Sequence, residues 1–221
     1  MKRRVVSVLL ALTLCVSLLP ITALASNYSK PDITSTTIGS TKLESGTYYL
    51  VGDNGQLSTD SASETNYNIY YSEDDETGAP SLTLNNATLK SPIYASGGTT
   101  VTLVGTNTLG LETDTVSVGI QTISEATGNT ALTVKGEGSL AIWCLNEGIV
   151  DGVDSEKDIL IEGGTISITN TQSSPIYTRN GSITISGDAK VTVNSGNSSI
   201  DCEKNLTITG NAVVNATNGA S

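Results

Sequence analysis

The sequence predicts an all-β protein whose main domain is a single-stranded parallel β-helix, a solenoid of about seven rungs without a C-terminal cap. Short strands of the form apolar-x-apolar recur along residues 81–221. Gly or Asn follows each first strand within two or three residues, and both residue types tolerate the positive φ of a sharp bend. No apolar stripe with a 3.6-residue period is present, which argues against helices.

The first strand of each rung defines the repeat. The starts of these strands are separated by 19, 31, 27, 24 and 23 residues, so the regular rungs have a period of 23 to 24 residues. The bends after them contain Gly or Asn, from Asn85-Asn86 to Gly210. The predicted first strands are residues 82–84, 101–103, 132–134, 159–161, 183–185 and 206–208.

A second and a third short strand complete each rung. The second strands are predicted at residues 87–89, 106–109, 140–142, 166–168, 191–193 and 212–214. The third strands are predicted at residues 92–94, 119–121, 148–150, 175–177 and 199–201. Because a strand buries every other residue, one rung places only a few apolar side chains inward. Stacking rungs at roughly 4.8 Å merges these side chains into one core and gives each backbone group a partner.

Both ends of the repeat region differ from its centre. Residues 46–52 and 68–71 predict strands of a first rung, and residues 26–43 form a polar leader that is expected to lie across it. The β-helix domain is therefore expected to cover residues 44–221. The final rung has no cap, although natural solenoids cover their last strand edges, so we expect the chain to be a truncated gene product or a piece of a longer protein.

Residues 1–25 have the composition of a secretory signal peptide. Lys2, Arg3 and Arg4 precede an apolar stretch, and the small-residue pattern at residues 23–25 indicates a cleavage site. After cleavage no apolar run is long enough to span a bilayer. The sequence therefore predicts an extracellular or cell-surface protein that is not inserted in the membrane.

Charge and composition exclude several functions. Cleavage leaves eight basic and 22 acidic residues, a net charge of −14, which argues against a nucleic-acid partner. The chain has no His, so Ser-His-Asp hydrolysis and His-ligated metals are excluded. Cys144 and Cys202 form no obvious disulfide framework and are expected to be small core or wall residues. The sequence does not predict an oligomeric state.

Three segments carry a resemblance to a known family. They are Glu44-Ser-Gly-Thr-Tyr-Tyr-Leu-Val-Gly52, Leu82-Thr-Leu-Asn-Asn-Ala-Thr-Leu89 and Val101-Thr-Leu-Val-Gly-Thr-Asn-Thr-Leu109. With them, the chain from Leu43 onward resembles a bacterial family of carbohydrate-binding β-helix proteins, similar in shape to the pectate-lyase superfamily. The resemblance implies a right-handed parallel β-helix, binding of cellulose or acidic sugars, and calcium bound by acidic clusters.

Aromatic side chains on outward strand positions predict a glycan-binding face. Trp143 follows an inward Ile142 and should therefore point outward. Tyr94 and Tyr177 each follow the inward Ile of a third strand, three rungs apart, so about 14 Å separates them. Gln121 and Asp201 should lie in the same column. The alternative is that these aromatics only pack on neighbouring loops.

Acidic residues at one bend suggest a calcium site. Asp151, Asp154, Glu156 and Asp158 lie within eight residues, and calcium prefers such oxygen ligands. Their spacing does not match an EF-hand loop, and such a run is often only a solvated turn. The sequence therefore offers calcium as a candidate cofactor and does not decide whether it binds.

Three functions remain for the exported domain. The first is a carbohydrate-binding module for plant or acidic polysaccharide, assisted by calcium if the acidic site is real. The second is a structural stalk or adhesin repeat without glycan activity. The third is a polysaccharide lyase with Arg179 as the basic residue beside stacked acids, although a surface ion pair explains the same residues. The sequence assigns no catalytic residue beyond this candidate.

Overall fold

The computed structural model describes residues 35–96, 98–123, 131–151, 158–196 and 200–218. The described residues contain β-strands and no helix, so no helical membrane span occurs among them. The predicted signal peptide lies outside the described residues. The strands are β1 (Thr37–Ile38), β2 (Thr41–Lys42), β3 (Thr47–Val51), β4 (Leu57–Ser58), β5 (Ile69–Glu73), β6 (Pro80–Asn85), β7 (Thr88–Leu89), β8 (Ile93–Ser96), β9 (Thr100–Val104), β10 (Thr106–Leu109), β11 (Ile120–Ile123), β12 (Leu132–Gly136), β13 (Ser139–Trp143), β14 (Ile149–Asp151), β15 (Ile159–Ile161), β16 (Thr165–Thr171), β17 (Ile176–Thr178), β18 (Ile183–Ile185), β19 (Lys190–Ser195), β20 (Ile200–Cys202), β21 (Leu206–Ile208) and β22 (Val213–Asn218).

The strands form three sheets, each built mainly from every third strand. Sheet 1 has the order β4-β3-β5-β6-β9-β12-β15-β18-β21, and sheet 2 has the order β7-β10-β13-β16-β19-β22. Sheet 3 has the order β2-β1-β8-β11-β14-β17-β20. From β6 onward neighbouring strands within each sheet are parallel. We call three consecutive strands from β6 onward one repeat, and this all-β arrangement with parallel sheets is compatible with a solenoid.

The N-terminal strands pair antiparallel and do not form the first rung that the sequence predicts. β3 and β5 occupy the predicted positions, but β5 runs antiparallel to β6, and β3 antiparallel to β5. A tight turn after β5 causes this reversal. The Asp74 carboxylate accepts hydrogen bonds from the backbone N–H of Thr77 at 2.8 Å and its hydroxyl at 2.7 Å, and Gly78 has a φ of +67°. The described residues hold five complete repeats and two strands of a sixth.

The described part of the leader lies against the first repeat. β1 pairs antiparallel with β8, and β2 pairs antiparallel with β1, so the sheet 3 order begins with this hairpin. Ile38 and Leu43 are buried in the core. Because β1 pairs with the edge of β8, sheet 3 is antiparallel at this end and parallel from β8 onward.

The core consists of inward rows that run perpendicular to the strands. One row of sheet 1 contains Tyr71, Leu82, Val101, Val134, Ile161 and Ile185 in register, and all six are fully buried. Most of the outward positions between these inward residues carry Ser and Thr, and Tyr70, Lys135 and Leu160 are exceptions. This alternation is the period of two that a sheet with one buried face requires. In the last strand of the sheet, Ile208 is 49% exposed although its register partner Ile185 is buried.

Cys144 is a packed core residue. Its side chain is fully buried, and this burial, followed by the charge of Glu147, raises the pKa of the thiol to about 12. The thiolate is the reactive form of cysteine, so Cys144 is chemically inert at neutral pH. Cys144 and the half-buried Cys202 are both free thiols in the structure.

The buried Tyr71 is expected to make the fold sensitive to alkaline pH. Its hydroxyl donates a 2.6 Å hydrogen bond to Glu73, and burial, with this bond, raises its pKa from 10.0 to about 12. The folded state therefore favours the neutral phenol, and this contribution is present below pH 10 and lost as pH rises from 10 towards 12. Urea unfolding of the wild type should lose about 2–3 kcal/mol more than Tyr71→Phe over this range. Equal losses in both proteins would contradict the assignment.

Candidate functional site

The row predicted on the outer face of the third strands lies in register. Tyr94 pairs with Gln121, Gln121 with Val150, Val150 with Tyr177, and Tyr177 with Asp201. Three strand steps therefore separate the two tyrosines, which corresponds to about 14 Å at the usual strand spacing. We call these five residues the sheet 3 row.

Burial divides the sheet 3 row. Tyr94, Gln121 and Tyr177 are half-buried and Asp201 is exposed, whereas Val150 in the middle is only 6% exposed. Tyr94 and Gln121 also make interactions with other groups of the protein. The row is therefore interrupted at Val150 and does not form one continuous open strip.

Trp143 lies on a different sheet from the predicted tyrosines. It ends β13 in sheet 2, where it pairs with Thr169, and its side chain is half-buried. Its carbonyl oxygen accepts a hydrogen bond from the backbone N–H of Val116 at 3.0 Å. Residues near Val116 thus approach the end of this strand, and the structure does not bring Trp143 into the sheet 3 row.

A second group of aromatic residues, which the sequence reasoning missed, lies on the outer face of sheet 1. The rings of Tyr48 and Tyr70 are stacked, with centroids 4.4 Å apart and an interplanar angle of 25°. Tyr67 is tilted against Tyr48 at a centroid distance of 5.2 Å. All three side chains are half-buried, so parts of their rings remain accessible. We call these three residues the tyrosine cluster.

The antiparallel pairing of β3 and β5 creates the tyrosine cluster. Tyr48 and Tyr70 are direct cross-strand partners, and such pairs hold aromatic rings within contact distance. Tyr49 and Tyr71 point inward and are 5% and 0% exposed, so their neighbours Tyr48 and Tyr70 must point outward. Two consecutive tyrosines in each strand are the signal from which this cluster could have been found.

The tyrosine cluster lies beside a negative charge, that of Glu64. Partial burial raises the pKa of Tyr48, and the nearby charges of Glu64 and of the neighbouring tyrosines raise it further. The phenol of Tyr48 therefore stays neutral in ordinary conditions, where it both donates and accepts hydrogen bonds. The cluster combines aromatic faces, neutral hydroxyls and one adjacent carboxylate.

The outward row that contains Tyr48 and Tyr70 continues across sheet 1. Tyr70 pairs with Thr83, Thr83 with Thr102, and Thr102 with Lys135. Thr102 also lines a groove of about 680 Å³ at the bend between sheets 1 and 2. The groove is lined further by Val104, Thr106, Glu137, Ser139 and Thr165, among others. Aromatic, hydroxyl and charged side chains are thus contiguous on one face.

A smaller recess of about 330 Å³ lies at the N-terminal end of the fold. Asp53, Asn68, Asn86 and Lys90 contribute to its wall. The two amides already serve the backbone, because Asn68 accepts from the N–H of Val51 at 2.9 Å and Asn86 accepts from that of Thr106 at 3.0 Å. This recess is therefore mainly a structural junction between strands.

The predicted calcium ligands fall largely outside the described residues. This applies to Asp154, Glu156 and the side chain of Asp151. The carboxylate of Asp158 accepts a 2.7 Å hydrogen bond from the backbone N–H of Ser182, so it joins two repeats. Within the described ranges, no group of three or more Cys, Asp or Glu side chains is placed to hold a metal ion.

The lyase candidate Arg179 is exposed and directly follows β17. The preceding residue Thr178 pairs with Cys202, so the register places Arg179 beside the Glu203 position of the next repeat. The register alone brings these two opposite charges to neighbouring positions, which both the lyase candidate and a surface ion pair would require, and surface pairs contribute little to stability.

The face that carries the tyrosine cluster suits a ligand with both apolar and hydroxyl surfaces. Aromatic rings contact the apolar face of such a ligand, and the threonine hydroxyls and charged groups bind its polar rim. Searches against family models, curated proteins and solved structures found no match to this chain.

Proposed function

We propose that this chain is an exported carbohydrate-binding module built on a right-handed parallel β-helix, and that it recognises a polysaccharide outside the cell. The observation that carries the proposal is the tyrosine cluster of Tyr48, Tyr67 and Tyr70 on the outer face of sheet 1. The secretory signal in the sequence and the acidic net charge support an extracellular role without nucleic acid.

Sugars are suited to this cluster because they present C–H faces together with hydroxyl groups. A tyrosine ring supplies apolar contact area, and its phenol supplies a hydrogen bond. Half-buried aromatics in contact with one another on a sheet are also preorganised, since little side-chain freedom remains to be lost on binding. Tyr49 and Tyr71 fix the same two strands from the core side.

Removal of two tyrosine rings should weaken retention on polysaccharide. The double variant Tyr48→Ala/Tyr70→Ala loses the stacked pair, and we expect at least about a tenfold weaker apparent affinity, equivalent to about 1.4 kcal/mol. Depletion assays on insoluble cellulose and on pectin, with calcium and with a chelator, measure this effect. Tyr48→Phe/Tyr70→Phe keeps both rings and should retain most of the binding.

A matched variant on another face separates the two tyrosine groups. Tyr94→Ala/Tyr177→Ala removes the rings of the sheet 3 row and should leave retention within about twofold of wild type. If this variant loses binding and Tyr48→Ala/Tyr70→Ala keeps it, the site belongs to the sheet 3 row. If folded wild-type protein is retained on no polysaccharide, the stalk function replaces the binding module.

A further inference from the structure

We propose that the tyrosine cluster is one end of an extended binding track, and that the track takes a neutral polysaccharide chain lying across the strands of sheet 1. This inference rests on the proposed carbohydrate-binding function and adds to it the position, direction and charge of the ligand. The track consists of the tyrosine cluster, Thr83, Thr102, Lys135 and the groove at the next bend.

The length of the track follows from the strand register. Tyr70, Thr83, Thr102 and Lys135 lie on the successive strands β5, β6, β9 and β12. Three steps at the usual strand spacing give about 14 Å between Tyr70 and Lys135. Thr83 and Thr102 are half-buried and short, so the surface between Tyr70 and Lys135 is lower than at either end. A single sugar would cover only part of this distance, whereas an oligosaccharide fills it.

Tyr70 forms the wall at one end of this low surface. Its strand lies between β3 and β6, and one face of its ring is stacked on Tyr48 of β3. The other face is therefore directed towards β6, where Thr83 is its register partner. An aromatic face beside a hydroxyl-bearing floor offers one sugar unit a stacking contact and a hydrogen bond at the same time.

The groove extends the track at the opposite end. Thr102 belongs to both the row and the groove wall, so no strand separates the two features. Val104 is 42% exposed in the groove, and Thr106 and Ser139 supply hydroxyls around it. An exposed apolar side chain surrounded by hydroxyls again matches the mixed surface of a sugar.

Charges along the track favour a neutral ligand over an acidic one. Lys135 is exposed and directly follows Val134, whose register partner is Ile161, so continuing the register places Lys135 beside Glu162. Glu137 lines the groove. Glu64 lies near Tyr48 at the other end. The track therefore has one cation and three carboxylates along its length, on a chain whose overall charge is also negative. A polyuronate would be repelled, which narrows the sequence expectation of plant or acidic polysaccharide to a neutral chain.

Chain-length dependence of binding tests the track. Titration calorimetry with neutral β-glucan oligosaccharides, from disaccharide to hexasaccharide, should show an affinity for wild type that rises about tenfold or more with length. Thr102→Arg places a long side chain on the floor and should remove this rise. Thr184→Arg is the matched control, because Thr184 is also a half-buried outward threonine of sheet 1, and it should keep the rise.

Val104→Arg is a second test, because Val104 is already exposed and its position tolerates a large side chain. This variant should bind the hexasaccharide more weakly than wild type and bind the disaccharide equally well. Length dependence that survives in folded Thr102→Arg or Val104→Arg would overturn the track. Tighter binding of polygalacturonate than of neutral glucan would overturn the charge argument, while the carbohydrate-binding function would stand. Absence of binding to every saccharide would overturn both the track and the proposed function.

Discussion

Asn107→Ala is expected to lower the free energy of unfolding by about 2–4 kcal/mol, although the residue belongs to neither tyrosine group. Asn107 is 1% exposed and joins three repeats. Its side-chain oxygen accepts from the N–H of Ala87 at 2.9 Å, and its amide donates to the carbonyls of Val104 and Ser139, each at 3.1 Å. Alanine leaves the buried N–H of Ala87 without this acceptor, which is costly away from water. Urea denaturation followed by circular dichroism measures the loss.

Two variants separate hydrogen bonding from packing at this position. Asn107 is in register with Leu140, and the row continues with apolar side chains, so Asn107→Leu matches the packing of its neighbours. If the hydrogen bonds stabilise this bend, Asn107→Leu must also be destabilised. Asn211→Ala is the surface control, because its exposed side-chain amide donates to the Asp188 carboxylate at 3.0 Å, and it should cost under about 0.5 kcal/mol. A leucine variant as stable as wild type would refute the explanation.

Asn107 also shows where sequence reasoning about the core ends. The apolar-x-apolar pattern located the strands of the repeat region, because burial of alternate residues is a local property of an extended chain. The same reasoning assigns asparagine to bends and outer positions. Whether an inward asparagine is tolerated depends on backbone groups of two neighbouring repeats, and these come from residues 20 and 32 positions away.

The N-terminal strands show the same dependence on partners. Their positions, residues 46–52 and 68–71, could be predicted from β-branched and aromatic content. Their direction depends on the turn at Asp74 to Gly78, which returns the chain beside β5 and makes the pairing antiparallel. A parallel pairing needs a longer crossover, so the short connection excludes it. The tyrosine cluster is a direct consequence of this reversal.

The candidate site could be predicted only where it follows from register. The sheet 3 row was expected from the position of each tyrosine after an inward Ile, and the pairing places its members side by side. Whether an outward residue is covered depends on segments far away in the sequence. The burial of Val150 in the sheet 3 row therefore could not be predicted from the alternation of apolar and polar residues. Trp143 was assigned outward from its own strand alone, which carries no information about the sheet on which the tyrosines lie.

The bends between strands limit how far any such surface can be redesigned, and Gly136→Ala is the substitution that tests this most directly. Gly136 ends β12 with a φ of +108°, and an added Cβ would overlap the backbone carbonyl oxygen of Leu103 in the preceding repeat.

We expect Gly136→Ala to cost about 3–5 kcal/mol, since neither a backbone carbonyl nor the strand that carries it moves easily. Gly78→Ala is the matched control. Gly78 also has a positive φ, of +67°, but nothing lies within 4 Å of its added Cβ, so only the conformational cost of about 1 kcal/mol remains. Thermal and urea unfolding of both variants measure the difference. Equal destabilisation would show that backbone conformation alone selects glycine at Gly136. A larger loss at Gly136 would show that the close approach of the neighbouring repeat selects it. Because Gly136 also lines the adjoining groove, this close approach would then limit which side chains the groove floor can carry.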